Sequence, residues 1–180
     1  MAHEGHDHHH HEHHHHPHHH HGHAENAVAC WVVTVSDTRD AQTDEGGPTA
    51  RRLLADAGHT IAGADLVKDE VVAIGAALDH ALEHGARCVV FTGGTGLSRR
   101  DVTIEALAPR FEKRIEGFGE LFRSLSFQQV GAKAMLSRAA AGVVQGALVF
   151  AVPGNPKAVE LAMQQLILPD LGHAVRELLR

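Results

Sequence analysis

From residue 27 onward the chain alternates between short unbroken apolar runs and longer segments whose apolar residues recur every three or four positions. Ala27 to Val35 reads AVACWVVTV, rich in β-branched residues, and predicts a strand covered on both faces. Pro48 to Ala57 predicts a helix, with Gly58 as its stop. Ile61 to Val67 predicts a second strand, ending at Lys68-Asp69. In the next segment Ile74, Ala77, Leu78, Ala81 and Leu82 share one helical face. Arg87 to Phe91 predicts a third strand and Thr103 to Leu107 a short helix. Ala147 to Val152 predicts another strand, and Val159, Ala162, Met163, Leu166 and Ile167 a helical stripe that Pro169 breaks before a last amphipathic helix. The middle segment, 109–146, is less periodic; Arg110 to Ile115 predicts a short strand and Gly117 to Phe127 a helix.

Strands alternating with helices imply an α/β domain: a mostly parallel central sheet with helices on both faces, in three layers. In such sheets ligands bind beyond the carboxyl ends of the strands. Four polar or glycine-rich segments fall there: Ser36-Asp-Thr-Arg39, Lys68-Asp-Glu70, residues 92–101 and Pro153-Gly-Asn-Pro156. They are expected to converge on one site.

The most informative of these is Thr92-Gly-Gly-Thr-Gly-Leu-Ser-Arg-Arg-Asp101, between the third strand and a helix. Gly93, Gly94 and Gly96 permit positive φ and close approach of a ligand to the backbone. A glycine-rich turn leading into a helix presents outward N–H groups that favour anions. Ser98, Arg99 and Arg100 add donors and positive charge. Asp101 places a carboxylate where an anion should sit, which is compatible with a phosphate that carries Mg²⁺. The loop is not a Walker A motif, since no Gly-Lys-Ser/Thr follows, and Arg99 stands where a dinucleotide fingerprint needs its third glycine. Asp69 and Asp101 each have a plain reading as helix N-caps. Two acids at neighbouring strand ends beside an anion-binding loop also suit Mg²⁺ binding or orientation of a phosphate.

Composition narrows the partners. The net charge is −6 with His neutral and no basic patch is evident, which gives no support to nucleic-acid binding. No apolar stretch is long enough to span a membrane, and the N-terminus lacks the apolar core of a signal peptide. Cys30 and Cys88 lie in apolar strand-like runs and are expected to be buried, reduced thiols of a cytoplasmic protein. Fifteen of the first 23 residues are His. Glu, Asp, Gly and Pro interrupt the run, unlike a single affinity-tag stretch, so residues 1–26 are read as a native, disordered tail ahead of a domain spanning 27–180. Its imidazoles, among them His8, His9, His10, His11, His13, His14, His15 and His16, are expected to bind Ni²⁺, Zn²⁺ or Cu²⁺ loosely. His80 and His84 are one helical turn apart, but beside Asp79 and Glu83 they read as a solvated face.

Several segments taken in order carry a family resemblance: Thr34-Val-Ser-Asp-Thr-Arg39, Val67-Lys-Asp-Glu70, Thr92-Gly-Gly-Thr-Gly96 with Arg100-Asp-Val-Thr103, Gly117-Phe-Gly-Glu120, Leu136-Ser-Arg138 and Pro153-Gly-Asn-Pro156. From residue 29 to near the C-terminus the chain resembles the MoaB/Mog family of molybdenum cofactor biosynthesis proteins. Phe122-Arg-Ser-Leu-Ser126 inclines the match to the MoaB branch. The resemblance implies a three-layer α/β domain assembled as a trimer or a dimer of trimers. It implies binding of molybdopterin and its Mg²⁺- and ATP-dependent adenylylation, with release of pyrophosphate and onward transfer to a molybdate-insertion protein. It assigns the catalytic, metal-proximal acids to Asp69 and Asp101 and nucleotide contacts to the 92–100 loop. It also assigns Ser36, Asp37, Glu120, Ser137, Arg138, Pro153, Gly154 and Asn155 to the surroundings of the pterin and phosphate. The alternative is a non-catalytic molybdopterin-binding protein of the same fold whose tail buffers divalent metals.

Two departures stand out. Where the family usually has Asp-x-Ser-Gly before the first helix, this chain has Asp44-Glu-Gly-Gly47, so a serine hydroxyl is missing at Gly46. Ser98-Arg99 replaces a common Thr-Pro pair. The Ala-rich, low-charge stretch Ala139 to Val152 is expected to pack against a neighbouring copy.

Overall fold

The computed structural model describes residues 27–180; the His-rich segment 1–26, with the imidazoles assigned to loose metal binding, lies outside the described residues. Six strands form one sheet: β1 (Ala29–Val35), β2 (Thr60–Val67), β3 (Cys88–Thr92), β4 (Lys113–Arg114), β5 (Ala140–Val144) and β6 (Ala147–Val152), in the order β2-β1-β3-β6-β5-β4. The first four in that order pair parallel; β5 and β4 run antiparallel at one edge. The helices are α1 (Gly46–Asp56), α2 (Val71–Glu83), α3 (Thr103–Leu107), α4 (Glu116–Val130), α5 (Pro156–Ala162) and α6 (Leu171–Leu178).

The unbroken apolar runs become the central strands. Every residue of β3 and β6 is buried, as a strand with helices on both faces requires. Along β1, Cys30 and Val32 join one core with α1, α4, α5 and α6, while Trp31, Val33 and Val35 join a second with α2 and α3. Side chains alternate between faces of a strand, so one run supplies both cores. The expected three layers are present. Cys30 and Cys88 sit side by side in the β1–β3 register and are fully buried free thiols; the Cys30 contact and burial raise the Cys88 thiol well above its ordinary range.

The stretch Ala139 to Val152 is not a surface awaiting a neighbour. It forms the β5–β6 hairpin, buried within its own sheet apart from the turn. That turn is Gln145-Gly146, with φ of 49° and 72°. Two successive positive φ values match the hairpin turn whose twist suits antiparallel strands. Gln is an unusual first residue there, and β5 therefore carries no strong sequence mark. Residues 110–115 give only the two-residue β4, preceded by a 3-10 turn at Ala108–Arg110. The last helical stripe divides into α5 and a π-turn at Met163–Ile167, closed by Leu168 N–H donating to Met163 C=O at 2.9 Å.

Helix α1 begins two residues before Pro48. The Asp44 carboxylate accepts the Gly46 and Gly47 N–H groups at 3.1 and 3.2 Å and the Thr34 hydroxyl at 2.6 Å. The capping expected of a serine at 46 is thus carried by Asp44. A Cβ at Gly46 would lie 2.9 Å from the Gly154 carbonyl oxygen, so the glycine lets the helix start sit against the 153–156 turn.

Candidate functional site

The loops at the carboxyl ends of β1, β2, β3 and β6 converge, as expected from the topology. They line an open cleft of about 1340 Å³ that contains Ser36, Asp37, Asp69, Gly93, Gly94, Thr95, Gly96, Ser98, Arg100 and Asp101, together with Ser137, Pro153, Gly154 and Asn155.

The glycine loop is held open by its neighbours. Gly93 has φ +100° and Gly94 φ +62°; a Cβ on Gly93 would strike the Val35 carbonyl oxygen, and one on Gly94 the Thr103 hydroxyl. The buried Thr103 donates its hydroxyl to Gly93 C=O at 2.9 Å and its N–H to Gly94 C=O at 3.0 Å. Gly96 leaves room for Asp101, whose Oδ2 would lie 2.7 Å from a Cβ there and instead accepts the Ser98 N–H at 2.9 Å.

Neither acid caps the helix that follows it. The residue flanking α3 is Val102, and its N–H goes to Asp69 Oδ1 at 3.0 Å. Asp69 belongs to the end of β2, two strands away, so its carboxylate reaches across the end of β1. Its own N–H donates to Asp37 Oδ1 at 3.1 Å, and Arg100 approaches Asp37 Oδ2 at 3.6 Å. Three carboxylates from three strands, Asp37, Asp69 and Asp101, therefore border one cleft. Partial burial raises the Asp69 carboxyl above its ordinary range; the Val102 N–H opposes this, and the Asp101 and Asp37 charges reinforce it. Asp69 and Asp101 each commit one oxygen to a loop N–H, and the other oxygen has no protein donor among the described residues.

Four residues assigned from sequence lie off the cleft wall. Thr92 is buried at the end of β3, with its hydroxyl on Thr34 Oγ1. Arg99 and Glu120 are exposed and absent from the lining. Arg138 works behind the loop: its guanidinium donates to Thr95 C=O at 3.4 Å, to Asp101 C=O at 2.7 Å and to the Glu105 carboxylate, which it holds below the ordinary range. It ties the glycine loop to α3 from outside.

The cleft also takes in Arg39, Phe122 and Ser126, which lie in segments already marked in the sequence, and Gln129, Lys133 and Lys157, which no sequence pattern singled out. Arg39 donates to Gly154 C=O at 2.9 Å. Lys133 and Lys157 add two cations, and Phe122, Ser126 and Gln129 of α4 close one side. Lys157 lies in the first turn of α5, where the Asn155 side chain accepts its N–H at 2.9 Å. Single cations on unrelated segments leave no spacing to read; only the fold brings them together.

Among the described residues, no group of three or more His, Cys, Asp or Glu is placed to hold a metal unaided. No helix there is long and apolar enough to cross a membrane.

Fold and site together define a class: an α/β domain with a glycine-rich loop and clustered acids at the carboxyl edge of its parallel strands. Residues 31–173 match the family described as "Probable molybdopterin binding domain". The chain belongs to that family, and with it to the proteins of molybdenum cofactor biosynthesis. It is 47% identical over 157 residues to molybdenum cofactor biosynthesis protein B of Bacillus subtilis, covering 86% of this chain and 92% of that one. It is 50% identical over 155 residues to the protein of the same name from Staphylococcus aureus strain COL, covering 82% and 89%. A crystal structure of molybdenum cofactor biosynthesis protein B superposes with a TM-score of 0.84 at 45% identity, covering 87% of this chain and 99% of that one. The tungsten cofactor synthesizing protein MoaB from Pyrococcus furiosus gives 0.78 at 34% identity, covering 86% and 98%.

Proposed function

We propose that this chain is a molybdopterin adenylyltransferase: it joins the terminal phosphate of molybdopterin to the adenylyl group of ATP and releases pyrophosphate. The observation that carries the reading is the meeting, in one cleft, of the 93–96 glycine loop, the cations Arg39, Arg100, Lys133 and Lys157, and the acids Asp69 and Asp101. An oxygen of the pterin phosphate attacks the α-phosphorus of ATP. The new P–O bond forms as the bond from the α-phosphorus to the β-bridging oxygen breaks, and pyrophosphate leaves with that electron pair. A phosphate monoester is already ionised near pH 7, so no base need remove a proton. The loop amides and cations hold nucleotide oxygens and favour an in-line approach.

The donor set suits Mg²⁺, which is commonly held by one or two carboxylates together with substrate phosphates and water rather than by a full protein cage. Asp69 and Asp101 would hold it through their open oxygens. An ion held there would supply positive charge to offset that of the leaving pyrophosphate.

Around this core we place a cytoplasmic enzyme that forms a homo-trimer or homo-hexamer and passes its product to a molybdate-insertion protein. The exposed apolar residues Leu121, Phe127 and Val130 of α4, with Met135 and Leu136 just beyond it, supply the surface for self-association. The tail serves as a loose store of divalent metal and is dispensable for transfer. The deciding experiment incubates the full chain with Mg²⁺, ATP and molybdopterin and follows pyrophosphate. Release dependent on all three is expected. Tight molybdopterin binding with no release would make the chain a carrier instead.

A further inference from the structure

A second constellation lies away from the cleft, where α2 ends beside the amino-terminal half of β1. Trp31 pairs across the sheet with Gly63 of β2, and a Cβ on Gly63 would collide with the indole ring. The glycine therefore lets the ring lie across the neighbouring strand. Its Nε1–H donates to Asp65 Oδ2 at 2.8 Å. His80 and His84 cover it, with ring centroids 5.0 and 5.6 Å from the indole and 4.4 Å from each other. These histidines are not merely a solvated helix face. They are exposed residues whose rings are fixed against a buried aromatic platform.

Their hydrogen bonds decide the tautomers. His80 Nδ1 lies 3.3 Å from Asp65 Oδ2, and His84 Nδ1 lies 2.8 Å from the His80 carbonyl oxygen. An ionised carboxylate and a carbonyl can only accept, so both Nδ1 atoms carry the proton when the rings are neutral. Both Nε2 lone pairs are then left unprotonated. Donation of one ring N–H to a carboxylate or a backbone carbonyl is the arrangement that orients metal-bound histidines and raises their basicity. The ring separation also fits. With metal–nitrogen bonds of about 2.1 Å, two imidazoles at roughly right angles on one ion have centroids about 4.5 Å apart.

We propose that His80 and His84 form a surface site for a divalent transition-metal ion of the Cu²⁺ or Ni²⁺ class, bound through both Nε2 atoms and oriented by Asp65 and the His80 carbonyl. Imidazole nitrogen suits these ions, and affinity among divalent metals peaks at Cu²⁺. Two protein ligands leave the remaining positions to water, consistent with no group of three ligands being placed there. The site is separate from the acids of the cleft and asks nothing of the transfer reaction.

Trp31 is the only tryptophan of the chain and packs against both histidine rings, so its emission responds to metal bound beside them. The test titrates the full-length protein with Cu²⁺, free ion being set by a glycine buffer, and follows Trp31 fluorescence. The comparison protein is the His80→Gln, His84→Gln double variant with the same tail, so metal taken by the tail affects both equally. Quenching in the original chain at a free Cu²⁺ concentration on the order of tenfold lower than in the double variant is expected, since two fixed ligands act as a chelate. The single variant His84→Gln should fall between them, and it guards against a folding defect when both proteins keep the same unquenched emission maximum. Superimposable quenching curves for all three would overturn the proposal, because the signal would then come from tail-bound metal.

Discussion

Asp69 Oδ1 accepts the Val102 N–H at 3.0 Å, joining residues 33 apart in sequence and two strands apart in the sheet. The bond pins the end of β2 to the start of α3 and leaves the second Asp69 oxygen to the cleft. It separates two roles that a single carboxylate can play, as a structural acceptor and as a charge.

Asp69→Asn and Asp101→Asn test that separation. An amide oxygen can still accept the Val102 or Ser98 N–H, so the melting temperature should stay within about 2 °C. Loss of the charge should lower pyrophosphate release by about 10²-fold or more, the scale seen when a key electrostatic group is removed. Molybdopterin binding should survive. Near-normal turnover in both variants would sink the proposed mechanism.

Gly94→Ala should damage the loop itself. Gly94 has φ +62°, and the added Cβ would meet the Thr103 hydroxyl and lie 2.7 Å from Asp69 Oδ1. The expected cost is roughly 2–4 kcal/mol from backbone strain and overpacking together. Chemical denaturation would measure it, and ATP affinity should fall in parallel. An unchanged denaturation midpoint would contradict the geometry.

Arg138→Gln removes the tie between the glycine loop and Glu105. The guanidinium bonds Thr95, Asp101 and Glu105 from behind, and Arg138 itself is not among the residues lining the cleft. A positioning role predicts a KM for ATP raised about tenfold with a smaller change in kcat. A direct contact with the reacting phosphate would instead depress kcat most. The lowered Glu105 carboxyl adds a second readout. Its contribution to stability is present above the ordinary Glu range and is lost as pH falls through the lowered value; the Gln variant should lose that part of the acid dependence.

His59 should make stability pH-dependent nearer neutrality. Burial lowers its pKa, and its Nδ1 accepts the Val28 N–H at 3.3 Å, which a protonated ring cannot do. A His with a depressed folded value stabilises above the ordinary imidazole range, about 6.5, and the stabilisation is lost as pH falls from there through the lowered value. Melting temperatures of the chain and of His59→Gln, taken from pH 7.5 to 5, should converge toward the acid end. Parallel curves would show that His59 does not titrate differently on folding. The tail is common to both proteins and cancels.

The apolar face of α4 should govern self-association. Phe127 is 61% exposed and Met135 75% exposed, values that favour burial against another copy. Light scattering of the full chain should give a trimer or hexamer, and Phe127→Glu with Met135→Glu should shift it to a smaller species. A monomer at micromolar concentration before any substitution would refute the assembly.

The sequence by itself determined the layered α/β architecture, because strands buried on both faces must be apolar throughout and their covering helices must be amphipathic. That constraint marks β1, β3 and β6, the face of α2, and the strand ends where the loops converge. It also made the glycine loop legible, since close backbone approach and positive φ leave few alternatives to Gly at 93 and 94. Only the tertiary structure decided the rest. The β5 strand escaped notice because its Gln145-Gly146 turn lacks a strong hairpin dipeptide and its small residues suit helix and strand alike. Lys133 and Lys157 join the cleft from two unrelated segments, so no spacing announces them. Asp69 and Asp101 read equally as helix caps until the fold shows that neither caps its own helix. Local pattern encodes what each segment must bury, whereas a polar site depends on contacts between segments distant in sequence, whose distances are set only once the sheet order is fixed.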